Sequence, residues 1–294
     1  MARGICRTTE GLVDRSEILG NSSKNLESIY KAPRLSPRET EVLTRLERER
    51  RSRLTLDELA GLFGRKQAYE IVRSLLGKGA LSRVGRGTYL AHPFRTLGRP
   101  WSPSAPVATA QLLADEPYYL GGFWAWSHHR LTAQVHGSQV DALVTRWRPA
   151  REVANARIVF HRIPPAKLAF GIIETTIENV PVRVSDVERT LLDALDYPSL
   201  LGPLSGSIQR VFQTLAKADT GRLVSYAVRG SRTSTCQRIG LMLEHRGASA
   251  GTLRPLKKRI AKSSSLLSFW PDRTRTGHVH PVWRVVENDN APHG

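Results

Sequence analysis

Cysteine is nearly absent: Cys6 and Cys236 are the only two in 294 residues. They form no metal-binding spacing and no disulfide framework, so neither a zinc module nor a stapled secreted fold is indicated. A reducing, cytoplasmic setting is expected. Long apolar runs are also missing. No stretch approaches the roughly 18 residues that a membrane span needs. The first residues carry basic side chains but no apolar h-region, so a secretory signal is not expected either. No internal repeat is visible. Acids are scarce, with 26 Asp and Glu against 44 Lys and Arg, a net charge of +18 and a pI near 10.7. Nucleophile motifs and phosphate-cradling glycine loops are missing as well. These gaps leave no cofactor and no metal to expect. The charge makes a polyanion the first partner to consider. Arg outnumbers Lys; Arg suits phosphate and guanine edges, although a GC-rich genome also favours its codons.

Hydrophobic residues make up 40% of the chain, ample for a core. Its length suggests two domains or one large one. The most informative stretch runs from Leu54 to Tyr89. Leu56, Leu59, Ala60 and Leu62 recur at helical spacing, with Thr55 as N-cap and Asp57 and Glu58 in the first turn. Gly64 breaks that helix. A second starts near Arg65, with Tyr69, Val72, Leu75 and Leu76 as its expected buried stripe, and ends at Gly77 and Gly79. Ala80–Val84 and Thr88–Ala91 follow as short strands around Gly85-Arg86-Gly87, where glycines supply the positive φ of a tight hairpin. Two helices and such a hairpin make a winged helix-turn-helix. Ahead of them, Ser36-Pro37-Arg38-Glu39 opens another helix through a capping box, with Val42, Leu43 and Leu46 buried.

The helix from Lys66 is the recognition candidate, its first turn aimed at the major groove. Arg65, Lys66, Gln67, Glu70, Arg73 and Ser74 face away from its apolar stripe. Gln reads adenine and Arg guanine. Arg86 at the wing tip suits a phosphate or the minor groove.

The fold class expected is α+β: a winged helix-turn-helix at 36–95, then a larger mixed α/β domain at 107–288. Residues 1–35 form an extension, in which Ile18, Leu19, Leu26, Ile29 and Tyr30 allow one short helix. Residues 96–106 form a proline-rich linker, and 289–294 a loose tail.

In the larger domain, Val107–Leu113 reads as a helix. Gly121-Gly122 allows close backbone approach, and the aromatics after it suit a core helix. His128, His129 and His136 invite a metal reading. However, adjacent positions do not share a helix face, and no carboxylate or Cys sits at a matching offset, so structural hydrogen bonding is the better reading. Val140–Thr145, Ile158–His161 and Phe170–Val184 read as strands, with Pro181 at an edge or a strand start. Ser185-Asp186-Val187-Glu188 reads as a second capping box, which gives its acids structural rather than catalytic work. Helical patterns then run over Ser207–Ala218, Leu223–Val228 and Ser234–Arg246. From Arg222 to Arg284 there are 13 Lys and Arg against Glu244 and Asp272. Arg254, Lys257, Lys258, Arg259 and Lys262 form the sharpest cluster, a second basic surface for nucleic acid or an acidic partner, or simply a solvated face.

Four segments taken in order resemble a known family. They are Arg83-Val84-Gly85-Arg86-Gly87-Thr88-Tyr89; Tyr119-Leu120-Gly121-Gly122 with Ser127-His128-His129-Arg130-Leu131-Thr132-Ala133-Gln134; Val184-Ser185-Asp186-Val187-Glu188-Arg189-Thr190-Leu191-Leu192-Asp193-Ala194; and Arg238-Ile239-Gly240-Leu241-Met242-Leu243-Glu244. Over about residues 37–288 the chain resembles the AbiEi-like antitoxins and transcriptional regulators of abortive-infection (type IV) toxin–antitoxin systems. Trp126 and Arg130 stand where that pattern has smaller residues, and the first 35 residues are extra. The resemblance implies a DNA-binding autorepressor that reads inverted repeats in its own promoter, two copies per operator. It also implies an antitoxin, acting through the second domain against a nucleotidyltransferase-type toxin. The alternatives are a nucleic-acid-acting enzyme, such as a nuclease or nucleotidyl transferase, and a non-specific nucleic-acid binder. An enzyme would need clustered carboxylates for metal ions, which this chain has few residues to supply.

Overall fold

The computed structural model describes residues 32–49, 51–99, 101–133, 139–153 and 156–288. His136, the helix suggested within residues 1–31 and the tail at 289–294 lie outside them. The fold is α+β. It divides into two units: Met1–Ser82 with Ala91–Trp101, and Arg83–Leu90 with Ser102–Gly294.

The first unit begins with α1 (Pro37–Arg48), opened by the Ser36–Glu39 capping box. A short strand, β1 (Arg53–Thr55), leads into α2 (Leu56–Phe63) and α3 (Arg65–Gly77). The sequence pattern does not announce β1; Leu54 within it is buried. The core of this unit is Val42, Leu43, Leu46, Leu54, Leu59, Ala68, Ile71, Val72 and Leu75. This corrects the expected stripes. Tyr69 is 53% exposed, Leu62 49% and Leu76 36%. The buried positions of α3 are 68, 71, 72 and 75, the same helical spacing rotated by one residue. A small residue, Ala68, occupies the position that lets α3 approach its neighbours.

The hairpin is β2 (Leu81–Gly85) and β3 (Thr88–Ala91). Only Gly87 has positive φ, +68°. Gly85 is explained by space instead, because a Cβ there would lie 3.3 Å from a methyl of Leu112.

The second unit is built on a six-stranded mixed sheet. After α4 (Ala105–Leu112) come β4 (Tyr118–Gly121), α5 (Gly122–His128), β5 (Gln139–Val144), β6 (Arg151–Val153), β7 (Ala156–Arg162), β8 (Ile172–Ile177) and β9 (Val180–Ser185), in the order β6-β7-β5-β4-β9-β8. Helix α4 starts two residues before the expected Val107, because Pro106 fits its first turn. Pro181 lies in β9 before the point where that strand meets β4, at Leu120↔Val184, so its missing N–H costs no bond to β4. Gly121 and Gly122 bring α5 down onto the sheet. A Cβ on Gly121 would lie 2.5 Å from Leu143, and one on Gly122, where φ is +60°, 2.4 Å from an Asp141 oxygen.

The remaining helices are α6 (Val187–Asp196), α7 (Leu204–Thr214), α8 (Thr220–Gly230), α9 (Thr233–His245) and α10 (Ala250–Ile260). A small sheet closes on α9: β10 (Leu267–Ser268), β11 (Gly277–His280) and β12 (Val285–Asn288), with β12 central. The main core runs from Trp126 through α6–α10 to Trp283 and Val285. The sequence reading does not reach α10 or this small sheet. Pro255 lies inside α10, and the strands are two to four residues long.

Among the described residues no helix is long and apolar enough to cross a membrane.

Candidate nucleic-acid interface

Two devices fix the pair α2–α3. Thr55 Oγ1 accepts the Glu58 N–H at 3.2 Å while Glu58 Oε2 accepts the Thr55 N–H at 2.7 Å, a full capping box. Gly64 alone joins the helices, at φ +80° and ψ 154°. Nothing lies within 4 Å of a Cβ there, so the backbone angle rather than crowding calls for glycine. Helix α3 is then tied to α1 at its far end. Lys78 Nζ lies 2.8 and 2.6 Å from the two oxygens of Glu39, which is 2% exposed.

The start of α3 differs from the starts of α1 and α2. It has no side-chain cap and no acid in its first turn. Its first backbone N–H groups therefore point outward beside Arg65 and Lys66, a positive end suited to a phosphate or a base edge. Arg65, Lys66, Glu70 and Arg73 are exposed, and Gln67 is half-buried. Ser74, expected to face out, is half-buried, and its hydroxyl helps to hold the Glu39 carboxyl below its ordinary range. Tyr69 joins the exposed row, four residues from both Arg65 and Arg73. It was missed because an aromatic at helical spacing reads as core. The signal that finds it is Ala68, the better-fitting member of the stripe. Arg86 is exposed at the hairpin turn and belongs to the second unit.

The second basic cluster is less uniform than its sequence. Arg254, Lys258, Arg259 and Lys262 are exposed. Lys257 is not part of an open face: its Nζ lies 3.3 Å from Glu244 and 5.5 Å from the Trp283 ring centroid.

The segments that carry the family resemblance are organised around α6. The N-cap is Asp186, not the expected Ser185; its Oδ1 accepts the Arg189 N–H at 2.8 Å and its Oδ2 the Tyr226 hydroxyl at 3.1 Å. Ser185 stays in β9, and its hydroxyl lies 2.8 Å from that of Thr190. Glu188 does not close a box on its own helix. It accepts the N–H of Asp219, the N-cap residue of α8, at 2.7 Å. Arg189 donates to Asp193 at 2.9 Å and to the Tyr119 hydroxyl at 2.8 Å, and Tyr119 donates to Asp193 at 2.6 Å. Burial raises the Tyr119 phenol well above its ordinary range, and the neighbouring carboxylate adds to that shift. Asp196 accepts from Lys167 at 2.7 Å and from Thr235 at 2.7 Å. The acids of this helix thus hold elements together.

His129 Nε2 lies 2.5 Å from the Ser185 carbonyl, and His128 stacks on Trp124 at 5.1 Å. Among the described residues no three His, Cys, Asp or Glu side chains come together as a metal site. Burial raises the Cys236 thiol to about 11, which keeps it protonated.

No family model and no curated protein matches this chain. Among solved structures it is similar to the RV2827C protein from Mycobacterium tuberculosis, at 17% identity and a TM-score of 0.56, over 87% of this chain and 93% of that one. At that identity the likeness extends to the fold.

Proposed function

We propose that this chain is a DNA-binding transcriptional autorepressor whose reader is a winged helix-turn-helix, with α3 as recognition helix and Arg86 on the wing. One observation carries the reading. The face of α3 opposite its buried stripe presents Arg65, Lys66, Tyr69 and Arg73 behind an uncapped, acid-free first turn. A duplex major groove accepts such a helix, with phosphates at its positive end and base edges along its first turns. The antitoxin half of the reading rests on the resemblance to the AbiEi-like family. Its partner is a nucleotidyltransferase-type toxin, and its own promoter, with two copies on inverted repeats, is the DNA target.

The test is a titration of the full chain against its own upstream DNA and a scrambled duplex at two salt concentrations. A preference for the upstream DNA that survives the higher salt supports the repressor. Equal binding that vanishes with salt reduces the reading to non-specific charge. Rescue of cells expressing the neighbouring toxin gene tests the antitoxin half separately.

A further inference from the structure

Of six tryptophans, three are buried (Trp126, Trp270 and Trp283) and two are partly covered (Trp101 and Trp124). Trp147 is 72% exposed, the most exposed large apolar side chain among the described residues. It sits in the turn 145–150 between β5 and β6. Strand β7 lies between those two strands, so this turn passes from one side of β7 to the other. Register fixes where. Val144, at the end of β5, is opposite Arg162, and Arg151, at the start of β6, is opposite Ile158. Between those levels the turn is pinned by Arg148, which lies 6.0 Å from the Phe160 ring centroid and is paired with Glu116.

Residues 158, 160 and 162 share one face of β7, and Arg151 shares it through its antiparallel partner; Ile158 on that face is buried and Phe160 half-buried, so it is exposed at Arg162 and Arg151. The exposed indole is therefore placed on a turn between two exposed arginines, Arg162 and Arg151, about 13 Å apart along the strand at ~3.3 Å per residue. Exposed Arg146 precedes it directly. Among the described residues none of Arg146, Arg151 and Arg162 has an ion-pair partner, while the nearby Glu116 is taken by Arg148.

We infer that this turn, with the exposed arginines beside it, binds single-stranded nucleic acid, with an unpaired base stacked on Trp147 and flanking phosphates on Arg146, Arg162 and Arg151. The chemistry selects this occupant. A flat π-surface held in water is matched by a base with a free face, which a paired and stacked duplex does not offer. Unpartnered guanidinium groups around it are matched by a phosphate backbone. Trp147 belongs to the second unit and α3 to the first, and the stacking of a base on Trp147 needs no residue of α3.

The experiment is a titration of the full chain with a fluorescein-labelled 12-nucleotide single strand, its duplex and anionic phosphatidylcholine–phosphatidylserine vesicles. Trp147→Ala is expected to weaken single-strand binding about tenfold or more, with Trp147→Phe retaining most of it. The double variant Arg146→Ala, Arg162→Ala is expected to flatten the salt dependence. Trp147→Ala leaves duplex binding and thermal stability unchanged, while Arg73→Ala weakens the duplex and spares the single strand. Single-strand binding unaltered in Trp147→Ala overturns the proposal. So does a loss confined to vesicles, which makes this a membrane-facing surface, or an equal loss on duplex and single strand.

Discussion

Lys78 and Glu39 form the tie between the end of α3 and the start of α1, at 2.6 Å, although they lie 39 positions apart. Glu39 also accepts the Ser36 N–H at 2.6 Å, so one buried carboxylate closes a helix cap and anchors the recognition candidate. Burial pushes its pKa up. The hydrogen bonds from Lys78, Ser74 and Ser36 outweigh burial and hold it at about 2, below the ordinary 4.5. A depressed carboxylate stabilises the fold fully above its unfolded pKa and loses that contribution as pH falls through its folded one. The contribution of Glu39 is therefore complete above pH 4.5 and fades towards pH 2. Glu39→Gln is expected to cost about 2 kcal/mol at pH 7, in the range of a charge-assisted hydrogen bond. Urea unfolding of both proteins at pH 7 and at pH 2.5 checks this: the gap between them narrows at the lower pH. A gap that does not change with pH assigns Glu39 a packing role only.

The exposed row of α3 separates binding from folding. Tyr69→Ala and Arg73→Ala leave stability within about 0.5 kcal/mol, as exposed substitutions do. Both weaken operator binding, with Arg73→Ala costing about 1–3 kcal/mol if it reads a base. Arg65→Ala, Lys66→Ala and Arg86→Ala, as phosphate contacts, each lower the slope of log K against log salt by about 1. Leu75→Ala, from the buried stripe, unfolds the first unit before it reports on DNA, with a cost of about 2–5 kcal/mol. Thermal melts paired with anisotropy titrations distinguish the two sets. Unchanged affinity in both Arg73→Ala and Arg86→Ala removes the reader assignment.

Local chemistry was legible where one side chain decides the matter. Ser36 with Glu39, Gly64 and the Gly121-Gly122 pair each impose a cap, a turn or a close approach that needs no tertiary partner to be recognised. Phase within a helix was not legible in this way. Tyr69 and Ala68 both fit an apolar stripe, and only the packing of α3 decides that the small residue goes in. Glu188 is the same lesson at longer range: three positions after Ser185 it reads as a capping box, yet its partner is the N–H of Asp219 in another helix. The short strands β10–β12 carry too few residues for alternation to show, and their order depends on pairing with distant chain. Trp147 was silent in sequence because exposure is a property of the folded surface.

Gly240 faces the Trp283 ring so closely that a Cβ would lie 2.2 Å from it. The indole N–H donates to Glu244 one turn along α9, and Lys257 covers the ring. Arg238 on the same helix donates to the carbonyls of Ser268 at 2.9 Å and Phe269 at 3.3 Å. Three residues of one resemblance segment thus dock the small sheet onto α9. Gly240→Ala is expected to destabilise by about 1–3 kcal/mol through overpacking. The check is a melting curve of that variant beside Gly251→Ala, whose Cβ meets only the Ser249 hydroxyl at 3.8 Å. An equal and small effect at both glycines means that Trp283 moves aside and the docking is soft.

Arg189 and Asp193 are both about 2% exposed and bonded at 2.9 Å, with Tyr119 closing the triangle. Burial works against the Arg189 charge, but Asp193 and Tyr119 together keep its pKa raised and the side chain cationic. Removing one partner leaves the other charge buried without compensation, so Asp193→Leu and Arg189→Met are each expected to cost about 3–5 kcal/mol. The double variant Arg189→Met, Asp193→Leu removes both charges at similar volume. It is expected to be less damaging than either single change, because neither a charge nor its desolvation remains. Tyr119→Phe, which deletes one hydroxyl but leaves the pair, is expected to cost about 1 kcal/mol. A double-mutant cycle read by urea unfolding decides the point. Additive losses mean that Arg189 acts mainly through its stacking on Phe170, 4.7 Å away, and not through Asp193.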